Sequence, residues 1–145
     1  MSAFLLDVNA LVALVWPAHE SHSEMQDWFA RHSSQGWATC PFTQAGLVRI
    51  VSNPAFSPHA VTPQEAIDLL TTNLRNRFHR FWSDDLPLTE ALAFFRERLV
   101  GHRQVTDAYL LGLAMHIKGK LATLDRGILA LLAPDSAERS RVELI

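Results

Sequence analysis

One cysteine, one tyrosine and six glycines among 145 residues close several routes to function at the outset. Cys40 stands alone, so the chain cannot form an internal disulfide, and a reducing compartment is the expected setting. No apolar stretch approaches the roughly 20 residues that a membrane-spanning helix needs; Leu11 to Trp16 stops at Pro17. The opening Met1-Ser2-Ala3-Phe4-Leu5-Leu6-Asp7 has no basic leader, and Asp7 cuts its apolar run short, so no secretory signal is expected. A field of one sign is also missing. Thirteen Lys and Arg face fifteen Asp and Glu, a net charge of -2, and any polyanion must be met by a local basic patch or by metal ions. Repeats, low-complexity tracts and dividing linkers are absent too, which leads to the expectation of one domain over residues 1–145, cytoplasmic and without a membrane.

What is present is a core-forming composition, with 48% hydrophobic and 19% charged residues. Short apolar runs read as strands at Ala3–Leu6, Trp37–Cys40, Arg77–Trp82, Lys120–Leu124 and Val142–Ile145. Between them lie helical stretches. Asn9 is the expected cap of a helix Ala10–Trp16, and Ser21 or Ser23 of one reaching Arg31. Thr43 is the expected cap of a helix that ends at Asn53-Pro54, and Thr89 of one reaching Leu99. Thr62-Pro63-Gln64-Glu65 combines a cap, a proline at the first helical position and an acidic first turn. Three of the seven prolines fall in Ser52–Pro63, the expected long loop. Val105–Ile117 is apolar on nearly every side, so it predicts a buried helix, ended by Gly119. Strands alternating with helices predict an α/β fold, its central sheet mostly parallel and covered on both faces.

In such folds ligands sit beyond the carboxyl ends of the strands. Asp7 and Asp125 each close a strand, and Asp107 opens the buried helix. Singly, each has an ordinary explanation: a helix cap, a turn residue, an acid favoured by the helix dipole. Gathered at one edge, three carboxylates would raise one another's pKa unless a cation intervened. An oxygen-only donor set suits magnesium or manganese rather than zinc, and such an ion activates water for phosphodiester hydrolysis. Spacing alone leaves open whether the three meet.

The motifs as a set resemble a known family. Leu5-Leu6-Asp7-Val8-Asn9-Ala10-Leu11 is similar to the first strand and acid of PIN-domain ribonucleases. Gly36-Trp37-Ala38-Thr39-Cys40-Pro41-Phe42-Thr43-Gln44-Ala45-Gly46-Leu47-Val48-Arg49 resembles the second strand and helix of a mycobacterial-type VapC subgroup. His102 to Leu110 and Leu121 to Gly127 are similar to the later acidic motifs, so the resemblance spans the chain in the right order. It implies a PIN-like three-layer α/β/α sandwich and a metal-dependent endoribonuclease toxin acting on cellular RNA such as tRNA or rRNA. It further implies a VapB-type antitoxin as partner and a homodimer. Asp7, Asp107 and Asp125 would be the catalytic acids and the ligands of Mg2+ or Mn2+. Asn9, Gln44, Arg49, Thr106 and Arg126 are the candidate substrate contacts, with pairing to an aspartate open for Arg49 and Arg126, and a solvated turn charge for Arg126. The pattern departs at two places: Asn9 stands where many relatives place a hydroxyl residue two positions after the first acid, and a threonine-x-x-glutamate motif counted from Thr43 arrives at Gly46, so that acid is missing and Gln44 nearby offers only a neutral oxygen.

Other features have plainer readings. His19-Glu20-Ser21-His22 is a surface loop, not a zinc site, because no partner ligands share its spacing. Arg75, Arg77, His79 and Arg80 interleave with Phe78, Phe81 and Trp82; the expectation is a strand with aromatics inward and cations outward, with RNA stacking as the alternative. Trp16, Trp28 and Trp37 are read as core or interface. A receiver domain would need an acid pair at the first strand, and a haloacid-dehalogenase-type phosphatase a second aspartate where Asn9 stands. The remaining rival is a PIN-like module that binds RNA or a partner without cutting.

Overall fold

A computed structural model describes residues 2–145. The elements run β1 (Phe4–Leu6), α1 (Val8–Val15), α2 (His22–His32), β2 (Trp37–Thr39), α3 (Pro41–Val51), α4 (Pro63–Leu74), β3 (His79–Phe81), α5 (Leu88–Ala93), α6 (Val105–Ile117), β4 (Lys120–Thr123) and β5 (Val142–Leu144). The five strands form one sheet in the order β3-β2-β1-β4-β5, and every pairing is parallel. Side-chain alternation along β1 sorts the core. Leu5 joins the cluster beneath α5 and α6, whereas Phe4 and Leu6 join the cluster beneath α1 to α4. The same split places Ala38 and Leu121 on one face, Trp37 and Ala122 on the other. Helices therefore cover both faces, giving the expected α/β/α sandwich with an all-parallel sheet.

Several local expectations shift, each for a reason visible in the backbone. Asp7, not Asn9, caps α1: its Oδ1 accepts from Ala10 N at 2.7 Å, and Asn9 lies within the first turn. Pro41 opens α3 instead of closing β2, since its missing N–H costs nothing at a first helical position. Thr43 is then the third residue of α3, where its hydroxyl accepts from Cys40 N. Helix α4 begins as predicted, with Thr62 and Glu65 capping each other's amides. Helix α5 starts one residue before Thr89 and ends at Ala93, and a 3-10 turn over Arg96–Arg98 replaces its last part. The left-handed residue that ends α6 is Lys118 (φ 64°). Gly119 beside it is required for a different reason, since a Cβ there would lie 2.4 Å from the Trp82 ring.

Strand β3 is shorter than expected and lies at the sheet edge. Trp82 is buried just beyond it, Arg80 points to solvent, and Phe81 departs from the inward expectation at 56% exposure. Trp28 and Trp37 are core residues, and Trp16 meets Phe56 edge-on. Among the described residues no helix is long and apolar enough to cross a membrane.

Candidate active site

Because all five strands are parallel, their carboxyl ends share one edge. Asp7 follows β1, and its amide donates to Ala122 O of β4 at 3.1 Å. Asp125 stands two residues beyond β4, and Asp107 in the first turn of α6. One cavity of about 400 Å³ is lined by Asp7, Val8, Asn9, Ile50, Thr106, Asp107 and Asp125. The three predicted acids, drawn from three separate elements, thus meet around a common space.

Their exposure is graded: Asp7 is buried, Asp107 half-buried and Asp125 exposed. Burial pushes the Asp7 carboxyl from an ordinary 3.8 up to about 6, and repulsion from Asp107 and Asp125 adds to this. Hydrogen bonds from Thr123 Oγ1 and Ala10 N pull the other way. Asp107 is raised too, by burial first and by Asp125 second. Asp7 is therefore a carboxylate kept at an electrostatic cost, as expected of a group held for chemistry rather than for packing.

Thr123, fully buried, connects the set. Its hydroxyl donates to Asp7 Oδ2 and accepts from the Asp125 amide at 3.0 Å. Asp125 in turn accepts from Gly127 N at 2.8 Å, so the turn-residue explanation and the site explanation hold together. Sequence reasoning missed Thr123. The available signal was a hydroxyl in an otherwise apolar strand, two residues before an acid.

The other predicted contacts divide. Asn9 and Thr106 line the cavity. Asn9 Oδ1 is 3.0 Å from His19 Nε2, and His19 Nδ1 accepts from Ser21 N, which leaves Nε2 as the donor. Gln44 does not line the cavity: its amide donates to Thr39 Oγ1 at the end of β2. Neither Arg49 nor Arg126 lines it, and both are exposed without an ion pair among the described residues. Gly46 is buried with its missing side chain aimed at Val8, where a Cβ would meet both methyls at 2.7 and 2.8 Å. Val8, itself on the cavity wall, fills the room that a side chain at position 46 would need.

The donor set around the cavity is oxygen only, which fits magnesium or manganese and not zinc. Among the described residues no three His, Cys, Asp or Glu side chains close into a ready cage. Magnesium commonly takes one or two carboxylates and completes its shell with water and substrate phosphate, so an open set of this kind suits it.

Comparison with known proteins agrees with this architecture. Residues 4–132 match the PIN domain. Ribonuclease VapC39 of Mycobacterium tuberculosis is 45% identical, over 97% of this chain and 98% of its own length. Ribonuclease VapC38 of the same species is 43% identical over 88% of each chain. Among solved structures, FitAcB from Neisseria gonorrhoeae superposes with a TM-score of 0.62 at 17% identity, covering 97% of this chain and 96% of that one. VapBC2 from Rickettsia felis, bound to a DNA fragment from its promoter, gives 0.57 at 14% identity, covering 85% and 87%. With its fold, the span of the match and the level of identity in agreement, this chain belongs to the PIN-domain family.

Proposed function

We propose that the protein is a metal-dependent endoribonuclease toxin of the VapC type, hydrolysing phosphodiester bonds in cellular RNA such as tRNA or rRNA. The observation that carries the reading is the convergence of Asp7, Asp107 and Asp125 on one cavity, in a chain 45% identical to a ribonuclease along almost its whole length. Asp7, Asp107 and Asp125 would hold Mg2+ or Mn2+. Once bound, the ion lowers the pKa of a water and offsets the charge growing on the phosphate.

The chain's own residues supply the rest. Thr123 and the Ala10 amide fix the Asp7 carboxylate in one orientation, each taking one lone pair and leaving others for the cavity. Asp125 accepts the Gly127 amide at Oδ1, which orients its carboxylate and leaves Oδ2 for the cavity. Asn9 and Thr106 are neutral polar groups on the wall, suited to phosphate and ribose oxygens. Val8 and Ile50 form the apolar side and limit bulk water.

A similar solved structure is a VapBC2 pair, which supports a VapB-type antitoxin as partner here. Phe81 and Phe94, 56% and 57% exposed, are apolar surface of the kind a homodimer or an antitoxin covers. The expected setting is the cytoplasm.

The test is a time course of RNA cleavage in magnesium or manganese, comparing wild type, Asp107→Asn and an EDTA control. Cutting that requires metal and fails in the variant supports the reading. The occupation of the space at Gly46 by Val8 favours one rival, a PIN-like module that binds RNA without cutting. Folded, antitoxin-free protein that binds RNA but leaves tRNA and ribosomal RNA intact would establish that rival instead.

A further inference from the structure

The carboxylate cavity has a neighbour. A second cleft of about 210 Å³ adjoins the first and shares Asp107 and Asp125 with it. Its wall includes Arg103, Gln104 and Gly127, with Ile128 and Leu131 at its apolar base. Among the described residues Arg103 is the one cation lining either space.

Arg103 sits in a 3-10 turn, His102–Gln104, that runs directly into α6. It lies four positions before Asp107, so the two share a face of a continuous helical path. They are not paired: among the described residues the single salt bridge is His32 with Glu143. The turn itself is fixed, because Gln104 Oε1 accepts from Val100 N at 2.8 Å and from Gly101 N at 3.2 Å. The structure thus holds an unpaired guanidinium on a braced turn beside two carboxylates, and leaves its donors free.

An endonuclease acts on an internal bond, so its strand must pass the carboxylates and leave on the far side carrying further phosphates. Those phosphates approach a site of like charge, and a cation beyond it lowers that cost. The guanidinium fork matches two oxygens of one phosphate. At about 210 Å³, the cleft lies below the roughly 300–1,000 Å³ of drug-sized pockets. We propose that the Arg103 cleft is a phosphate subsite for the RNA strand, holding the phosphate next to the one at the carboxylates. The subsite rests on the ribonuclease reading for the direction of the strand. Its affinity for phosphate is measurable without cleavage.

The experiment compares wild type, Arg103→Ala and Arg103→Lys in two assays. Binding of a labelled 12-nucleotide single-stranded RNA is followed by anisotropy with calcium in place of magnesium, across a salt series. Cleavage is followed separately in magnesium. Arg103→Ala is expected to weaken binding about tenfold and to flatten the logarithmic salt slope by about 0.7, the value for one phosphate contact on a single strand. In cleavage it should raise KM far more than it lowers kcat. Arg103→Lys should recover most of the salt slope and only part of the affinity. Replacing single phosphates by uncharged methylphosphonates should abolish the difference between wild type and Arg103→Ala at one linkage only. Unchanged binding and slope in Arg103→Ala would overturn the subsite, even in an enzyme that cuts. A binding difference that persists in a protein cutting no RNA would keep the subsite and defeat the ribonuclease reading. Failure of the wild type to bind the 12-nucleotide RNA would overturn the subsite, and the ribonuclease reading would then be decided by the cleavage assay alone.

Discussion

Replacing Asp7 by asparagine should stabilise the metal-free protein, by an amount that grows as the pH rises from 4 to 7. Burial raises the folded-state pKa of Asp7 from 3.8 to about 6, so between those values the folded chain binds a proton that the unfolded chain has lost. Stability of the wild type therefore falls as pH rises through that window and levels off above about 6. Two units at 1.36 kcal/mol each amount to about 3 kcal/mol. Asparagine is close in shape and does not ionise, so it escapes this penalty. The readout is the difference in unfolding free energy between Asp7→Asn and wild type, from urea titrations in EDTA at pH 4, 5, 6 and 7.5. The pH-independent offset from altered hydrogen bonds to Thr123 and Ala10 cancels in that comparison. Part of this has already accrued at pH 4, so across the series the difference should climb by about 2 kcal/mol in favour of the variant, or about 4–8 °C in melting temperature for a chain of this size. A difference that stays flat across the series would refute the claim that Asp7 is an electrostatically costly carboxylate.

Magnesium should nearly cancel that advantage: at a hundredfold excess over its Kd it adds about 2.7 kcal/mol to the wild type and much less to Asp7→Asn, a contrast visible in thermal melts with and without the ion. Thr123→Val keeps the side-chain shape but removes a donor from Asp7 and an acceptor from the Asp125 amide; it should cost about 1–3 kcal/mol in urea unfolding and move the acid limb of the cleavage pH profile upward. Gly46→Ala should destabilise by about 1–3 kcal/mol through overpacking against Val8, although alanine ordinarily favours a helix interior; Val8→Ala in the same chain should restore part of that loss, as a double-mutant cycle would show.

Much of the sheet and its acidic edge was legible in the sequence because strong local signals coincide with tertiary needs. The Thr62-Pro63-Gln64-Glu65 start of α4 is such a case: cap, proline and acid all act within one turn. Asp7, Asp107 and Asp125 were legible because apolar strands and a buried helix tolerate a charge only at their ends. Where the expectation slipped, two neighbouring residues competed for one local role, as Asp7 and Asn9 did for the cap of α1, or Lys118 and Gly119 for the end of α6. In each case packing elsewhere decided. Gln44 and Arg49 were misplaced because helical phase, not distance along the chain, decides which side of α3 meets the cavity. Thr123 and Arg103 went unseen because their importance lies in what comes to rest beside them, and a linear sequence does not show neighbours.

The contact between Gly46 and Val8 also restricts how this site can change over generations. A fourth acid at position 46 brings a clash with it, because a side chain there meets the two methyls of Val8 unless they shift. A smaller residue at position 8 relieves the clash, but made first it opens a gap under the wall of the carboxylate cavity before any benefit arrives. The order of events is therefore constrained: the permissive replacement carries its loss of stability alone. Lineages that keep valine at position 8 and glycine at position 46 are held to three carboxylates, whatever the advantage of a fourth.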